Sequence, residues 1–182
     1  RLCHHGQQAP QCRRAREPAA GGRPVHVRRV GARGAGACDF GRAGRLEAHG
    51  WVLELLPASG GAIGALRHEG RDVLRPAPAD MRDPLETGCF PLIPYANRIA
   101  HGRFEFGGQE HRVPLNFGDH RHSLHGLGWQ AAWTMAETGA DHVILVHTHD
   151  GGAGWPWVYR AEQRFVLAAD EMRVVLSLIN AG

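Results

Sequence analysis

Two segments in the middle of the chain concentrate side chains that bind polar ligands. The first, residues 90–99, reads FPLIPYANRI, and its two prolines stiffen the approach to Asn97 and Arg98. Arginine offers a planar fork of donors, and asparagine both donates and accepts hydrogen bonds. The second, residues 121–129, reads RHSLHGLGW and places His125 before glycines that let a ligand approach the backbone. These residues predict a binding site for a polar small molecule.

The same side chains also have purely structural interpretations. Asn97 and Arg98 can cap a strand end and pair with a surface acid, and His125 can be a core or surface histidine without a role. An indole face can pack against the apolar face of a sugar, but tryptophans more often fill a core. This choice stays open for four tryptophans near the two segments: Trp129, Trp133, Trp155 and Trp157.

Clustered histidines raise the alternative of a metal site. Alternating residues of a strand share one face, so two histidines can converge on one ion. The clusters are His120, His122 and His125, and His147, His149 and Asp150. We favour no metal at either cluster. Cys89 lies in an apolar run, which predicts a buried free thiol.

Short apolar runs separated by glycine and proline turns must position these residues. The clearest hairpin joins 103–106 to 109–113 through Gly107-Gly108, a pair that supplies the positive φ angles of a tight turn. No segment of ten or more residues reads as a helix, so the pattern predicts an all-β sandwich or barrel. The other predicted strands lie at 51–56, 62–67, 72–74, 131–137, 142–148, 159–167 and 172–180.

Composition divides the chain of 182 residues at about residue 45. The first 45 residues hold 10 of the 21 arginines against Glu17 and Asp39, whereas the remainder carries 11 arginines against 16 acids. Without hydrophobic periodicity, residues 1–45 are expected to be a disordered or artefactual Arg/Gly/Ala-rich extension. A nucleic-acid-binding arm is one alternative. Zinc binding is another, through Cys3, His4, His5 and Cys12.

Other protein classes are excluded by composition. The longest apolar runs are far shorter than the roughly 20 residues needed to cross a bilayer. Four cysteines in 182 residues are too few for a disulfide scaffold. A membrane-spanning protein and a disulfide-stapled scaffold are therefore excluded. We further expect a cytoplasmic protein that binds a small molecule, with no nucleic acid and no membrane as partner.

Taken in order, the motifs from Trp51 to Asn180 resemble the N-terminal half of the aldose 1-epimerases, the galactose mutarotase family. The matching motifs are Gly60-Gly61 with Ile63, residues 70–74, 90–99 and 102–104, Asn116, Leu124-His125-Gly126, Gly128-Trp129, Trp133 and Trp155-Pro156-Trp157. The resemblance implies a large antiparallel β-sandwich truncated at the C-terminus. Residues 46–182 would be its N-terminal part.

The resemblance also implies an activity, the interconversion of α and β anomers of free hexoses such as glucose and galactose, without a cofactor. Asn97, Arg98 and His125 would face the sugar, with His125 as the catalytic residue of this chain. The family's general acid, a second histidine, and its general base, a glutamate, would follow residue 182. We therefore expect an isomerase in the full-length product and low activity in the fragment. The alternative is a non-catalytic carbohydrate-binding protein or a sugar-phosphate mutarotase of the same fold.

Overall fold

The computed structural model describes residues 44–81 and 83–182. The predictions for the extension, including the zinc alternative at Cys3, His4, His5 and Cys12, concern residues outside this part of the chain. The described residues form twelve strands, numbered here in chain order: β1 (Gly44–Ala48), β2 (Trp51–Leu56), β3 (Ala62–His68), β4 (Arg71–Asp72), β5 (Arg98–Ile99), β6 (Arg103–Phe106), β7 (Gln109–Arg112), β8 (Ser123–Leu124), β9 (Thr134–Thr138), β10 (His142–Asp150), β11 (Val158–Leu167) and β12 (Met172–Asn180).

The first four strands form one antiparallel sheet in the order β1-β2-β3-β4. In β2, Trp51, Leu53 and Leu55 are buried while the residues between them are only partly covered, which is the period of two that a half-buried strand requires. A two-residue turn at His49-Gly50, both with positive φ, joins β1 to β2. β1 was not predicted, and it begins two residues before the expected boundary at residue 46.

The last four strands form a second antiparallel sheet in the order β12-β11-β10-β9. β11 and β12 pair along their whole lengths, from Tyr159 opposite Asn180 to Leu167 opposite Met172. The predicted segments at 142–148, 159–167 and 172–180 are all strands, and β12 has the predicted bounds. Among the described residues β12 pairs only with β11, so it is one edge of this sheet there.

One apolar core fills the space between the two sheets. Its buried members come from β1–β3 on one side and from β10 and β11 on the other, and Ile93 and Trp133 add to it from the connecting segments. Gln163 of β11 is buried and donates to the carbonyl of Gly61, 3.0 Å away, which links β11 to the turn just before β3. The structure therefore confirms the predicted all-β antiparallel sandwich.

Two short ribbons lie between the sheets in sequence. β6 and β7 form the predicted hairpin, with Gly107 and Gly108 both at positive φ. β5 pairs with β8, so that Arg98 lies opposite Leu124 and Ile99 opposite Ser123. Within the described residues the only helical elements are two three-residue 3-10 turns, Pro84–Glu86 and Ala100–Gly102. In the same part of the chain, no helix is long and apolar enough to cross a membrane.

The expectation of a buried Cys89 was wrong for the residue as a whole, which is exposed. Its thiol is nevertheless partly covered, and this burial raises the thiol pKa. Its apolar run is an irregular segment rather than a strand of the core. The carbonyl of Cys89 accepts from the N–H of Ile63 at 2.9 Å, so the residue joins the first sheet through its backbone.

Candidate functional site

Asn97, Arg98 and His125 come together at one end of the β5–β8 ribbon. The N–H of His125 donates to the carbonyl of Asn97 at 2.9 Å, and the N–H of Asn97 donates to Nδ1 of His125 at 3.0 Å. Asn97 and His125 both have left-handed backbones, with φ of 65° and 58°. Asparagine and histidine tolerate this conformation better than most residues. The left-handed conformations of Asn97 and His125 thus hold the imidazole of His125 beside Asn97, at the end of the ribbon.

These contacts define the form of the His125 imidazole. Because Nδ1 accepts the backbone hydrogen bond, the neutral ring carries its proton on Nε2. Partial burial, and then the nearby Arg98 charge, lower the pKa of His125. The ring is therefore neutral at neutral pH and offers Nε2–H as a donor.

Arg98 presents a guanidinium with most of its donors uncommitted to protein groups. Its Nη1 donates to Oδ1 of Asn97 at 3.1 Å, and both side chains are exposed. No salt bridge among the described residues includes Arg98. A planar fork that is accessible in this way can donate to two oxygens of one ligand.

Asn116 holds the segment that carries His125. Its Nδ2 donates to the carbonyls of Leu124 at 2.7 Å and Gly126 at 2.9 Å, and its Oδ1 accepts from the N–H of Leu124 at 2.8 Å. One side chain thereby satisfies backbone groups on both sides of His125. The sequence pointed to Asn116 only through the family resemblance. Nothing in the sequence around a loop asparagine indicates that its side chain will hydrogen-bond to backbone groups eight to ten residues away.

Gly126 allows this segment to pack tightly against the segment before β5. Gly126 forms an isolated bridge with Ile93, and the N–H of Gly128 donates to the carbonyl of Ile93 at 3.0 Å. The φ of Gly126 is +69°, and a Cβ there would overlap the Ile93 carbonyl. The glycine after His125 is thus required both by conformation and by space.

An aromatic cavity of about 560 Å³ lies beside the ribbon. Its lining is Pro94, Phe104, Phe106, Trp155, Trp157, Tyr159, Leu178, Asn180 and Gly182. Tyr95 connects it to β8, since its hydroxyl lies 2.6 Å from Oγ of Ser123 and its ring centroid 5.5 Å from that of Trp155. Tyr95 therefore joins the cavity to the ribbon, whereas none of the three candidate residues lines the cavity.

Two of the four tryptophans fill the core, and the other two line the cavity. Trp129 and Trp133 are buried, and their indole N–H groups donate to the carbonyls of Leu124 and Gly128. They belong to the core. Trp155 and Trp157 are partly exposed at the cavity, with ring centroids 5.3 Å apart. Both line the cavity, although Trp155 also stacks on Phe104 and packs against the core cluster.

The histidine clusters do not form a set of metal ligands in the described part of the chain, where no three His, Cys, Asp or Glu side chains converge closely enough to hold an ion. His125 turns to Asn97, whereas Nδ1 of His122 accepts from the N–H of His101 at 3.1 Å. His147 lies 3.1 Å from the hydroxyl of Tyr159, and Nε2 of His149 lies 2.8 Å from the carbonyl of Trp155.

Solved structures with the same architecture define the class of this fold. A candidate aldose 1-epimerase of Escherichia coli K12 aligns with a TM-score of 0.68 and 32% identity, covering 76% of this chain and 46% of that one. A galactose mutarotase-like protein of Clostridium acetobutylicum aligns with a TM-score of 0.65 at 21% identity, covering 75% and 45%. The fold is therefore the galactose mutarotase-like β-sandwich.

Sequence comparison then identifies the family. The family model for aldose 1-epimerase matches residues 55–182. The uncharacterized protein YphB of Escherichia coli K12 is 34% identical over 134 residues, which are 74% of this chain and 45% of YphB. The chain belongs to the aldose 1-epimerase family, and it spans less than half the length of the curated relatives it matches.

Proposed function

We propose that the protein carrying this chain is an aldose 1-epimerase that interconverts the α and β anomers of free hexoses by acid–base ring opening. Asn97, Arg98 and His125 bind the sugar in this proposal. Family membership supports the reaction class, as the resemblance of the motifs had implied. As the same resemblance implies, the reaction would need no cofactor. We also propose that the protein works in the cytoplasm.

The observation that carries the proposal is the junction of Asn97 and His125 across the β5–β8 ribbon. Segments 28 residues apart in sequence exchange two hydrogen bonds there, both in left-handed conformations. This arrangement places an imidazole Nε2–H and a guanidinium fork at one exposed edge. Two such donors can bind several oxygens of one pyranose.

The chemistry of mutarotation defines what these donors contribute. Ring opening needs a proton delivered to the ring oxygen and another removed from the anomeric hydroxyl. The aldehyde then rotates and recloses on its other face. Positioned acids and bases contribute about 10²–10⁴-fold each. The neutral His125 can donate a hydrogen bond to a sugar oxygen whose charge changes during ring opening. Arg98 and Asn97 hold the pyranose in place.

Polarimetry tests this proposal. The full-length protein that carries this chain is added to freshly dissolved α-glucose or α-galactose, and the approach to the equilibrium rotation is timed. We expect acceleration over buffer for at least one of the two sugars. Rates equal to the buffer rate for both, from protein with a cooperative melting transition, would contradict the proposal. Arg71 is an exposed arginine of β4, so Arg71→Gln serves as a control that changes the charge without touching the candidate site.

A further inference from the structure

A hydrogen bond between two hydroxyl groups joins the segment that carries Asn97 to the segment that carries His125. The hydroxyl of Tyr95 lies 2.6 Å from Oγ of Ser123. Tyr95 stands two residues before Asn97, and Ser123 stands two residues before His125, so both pairs are 28 residues apart in the chain. The hydroxyl pair is therefore a second link between the two segments that meet at the imidazole.

The hydroxyl link lies where the backbone supplies no contact of its own. The contacts of Ile93 with the segment after β8 precede it in the chain, and the hydrogen bonds between Asn97 and His125 follow it. Within the described part of the chain, no backbone hydrogen bond joins residues 94–96 to residues 123–128. β5 and β8 have two residues each, and so short a two-stranded ribbon is marginally stable by itself. The side-chain link thus supports a weak part of the site.

Both partners of this link are held in place by their surroundings. Ser123 is 2% exposed, and among the described residues its hydroxyl bonds to Tyr95 alone. A buried hydroxyl that loses its partner destabilises the fold, because it cannot turn to water instead. The ring of Tyr95 packs against Trp155, with centroids 5.5 Å apart, and Trp155 in turn stacks on Phe104. The Tyr95 hydroxyl therefore reaches Ser123 from a ring that packing has already oriented.

We infer that Tyr95 and Ser123 are positioning residues that keep the proton of the neutral His125 ring on Nε2. Their link fixes how closely the two segments approach, so that the N–H of Asn97 stays within hydrogen-bond reach of Nδ1. If the segments moved apart, Nδ1 could take the proton and Nε2 would no longer be a donor. This inference rests on the proposed function, in which His125 donates to a sugar oxygen. Neither Tyr95 nor Ser123 has to touch the sugar.

NMR of the full-length protein with isotope-labelled histidine tests the positioning role without any sugar. At about pH 8 the imidazole is neutral, and the chemical shifts of its two nitrogens show which one carries the proton. The signals of His125 are those that disappear in His125→Gln. We expect Nε2–H alone in the wild type and a mixture of both tautomers in Tyr95→Phe and in Ser123→Ala. Tyr159→Phe is the matched control, because it removes a buried tyrosine hydroxyl that contacts His147 instead, and it should leave the His125 signals unchanged.

Polarimetry on the same variants supplies the second measurement. A His125 ring that carries its proton on Nε2 for only part of the time should lower kcat about 2–10-fold, the factor that one neutral hydrogen bond contributes, with little change in KM. Tyr95→Phe and Ser123→Ala remove the same link, so the double variant should lose no more than either single variant. Tyr159→Phe should keep the kcat of the wild type, even where its Tm is lower.

The outcomes separate this inference from the proposed function. If Tyr95→Phe and Ser123→Ala lower the Tm but leave the His125 tautomer and kcat as in Tyr159→Phe, the link is structural and the positioning role is wrong. Additive losses in the double variant would overturn it as well. If the tautomer changes in both variants while the wild-type protein does not accelerate mutarotation, the link to His125 stands and the proposed sugar function is wrong. Should Tyr95→Phe lack a cooperative melting transition, Ser123→Ala decides by the same two measurements.

Discussion

At the scale of single residues, a substitution of Arg98 is the sharpest test of whether this residue binds the sugar or only supports the structure. A lysine keeps the charge but cannot donate to two sugar oxygens as a planar fork does. Hydrogen bonds to charged groups contribute about 1.5–3 kcal/mol, so Arg98→Lys should lower kcat/KM of the full-length enzyme by about 10–150-fold. Its Tm should hardly change, since the side chain is exposed and, within the described part of the chain, hydrogen-bonds only to Asn97.

The opposite combination of results would contradict a binding role for Arg98. A lowered Tm with unchanged kcat/KM in the remaining folded protein would make Arg98 a structural residue. Polarimetry and thermal unfolding on the same preparation decide between the two roles.

Asn116 belongs to the same scale, but it acts through His125. Asn116→Asp keeps the acceptor for the N–H of Leu124 and loses the donors to the Leu124 and Gly126 carbonyls. A carboxylate facing two carbonyls leaves backbone groups unsatisfied, at about 1–3 kcal/mol of unfolding free energy. We expect a lower denaturation midpoint and a lower kcat/KM, both measured for Asn116→Asp and for Asn116→Ala. Unchanged stability in both variants would contradict the positioning role.

At the scale of elements, the packing of the segment after β8 against Ile93 can be tested at Gly126. Gly126→Ala adds both left-handed strain, about 1–2 kcal/mol, and overlap with the Ile93 carbonyl. Gly107 is the matched control, because it also has positive φ (+60°) but open space around a new Cβ. Chemical denaturation should show a larger loss for Gly126→Ala than for Gly107→Ala. Equal losses would mean that the close approach to Ile93 is not maintained.

The β9–β10 hairpin carries a pH-sensitive contact. Nε2 of His142 lies 2.8 Å from Oε1 of Glu137, and Nδ1 lies 3.0 Å from Oδ1 of Asp141. The Glu137 contact, and then the Asp141 contact, raise the pKa of His142, while the hydrogen bond from His142 lowers the pKa of Asp141. The His142 contribution is complete below the unfolded pKa of about 6.5 and is lost as pH rises through the raised value.

The pH dependence of these contacts predicts the pH at which they stabilise the fold most. The Asp141 contribution is present above about pH 3.9 and is lost as pH falls through the lowered value. Both contributions therefore act together between about pH 4 and 6.5. The Tm difference between the wild-type chain and His142→Gln should be larger at about pH 5.5 than at about pH 8.5. The opposite order, or no pH dependence of the difference, would contradict the assigned partners.

At the scale of the whole molecule, long strands were predictable and the short ribbon at the site was not. β2 has the predicted bounds, because burial of one face imposes a period of two over its six residues. β12 also has the predicted bounds, which came from its apolar run, although its side chains are mostly exposed. β5 and β8 have two residues each, too few for any periodicity. The two strands pair next to the hydrogen bonds between Asn97 and His125, residues 28 positions apart, and no local pattern encodes such a contact. Asn97, Arg98 and His125 were predicted as site residues from their types and the resemblance, and that role stays a prediction. Their geometry could be described only from the tertiary structure.

The open edge of β12 has a consequence for the behaviour of the chain in concentrated solution. From Val174 to Asn180 the strand carries no charge, and its exposed side chains include Val175 (46%), Leu178 (45%) and Ile179 (55%). Such an edge is a template for pairing with other chains. We expect particle size in light scattering to grow with concentration. Val175→Glu, opposite Arg164 on β11, should suppress that growth, whereas Val73→Glu, an equally exposed valine outside the edge strand, should not. If the two variants scatter alike, the chains associate through another surface.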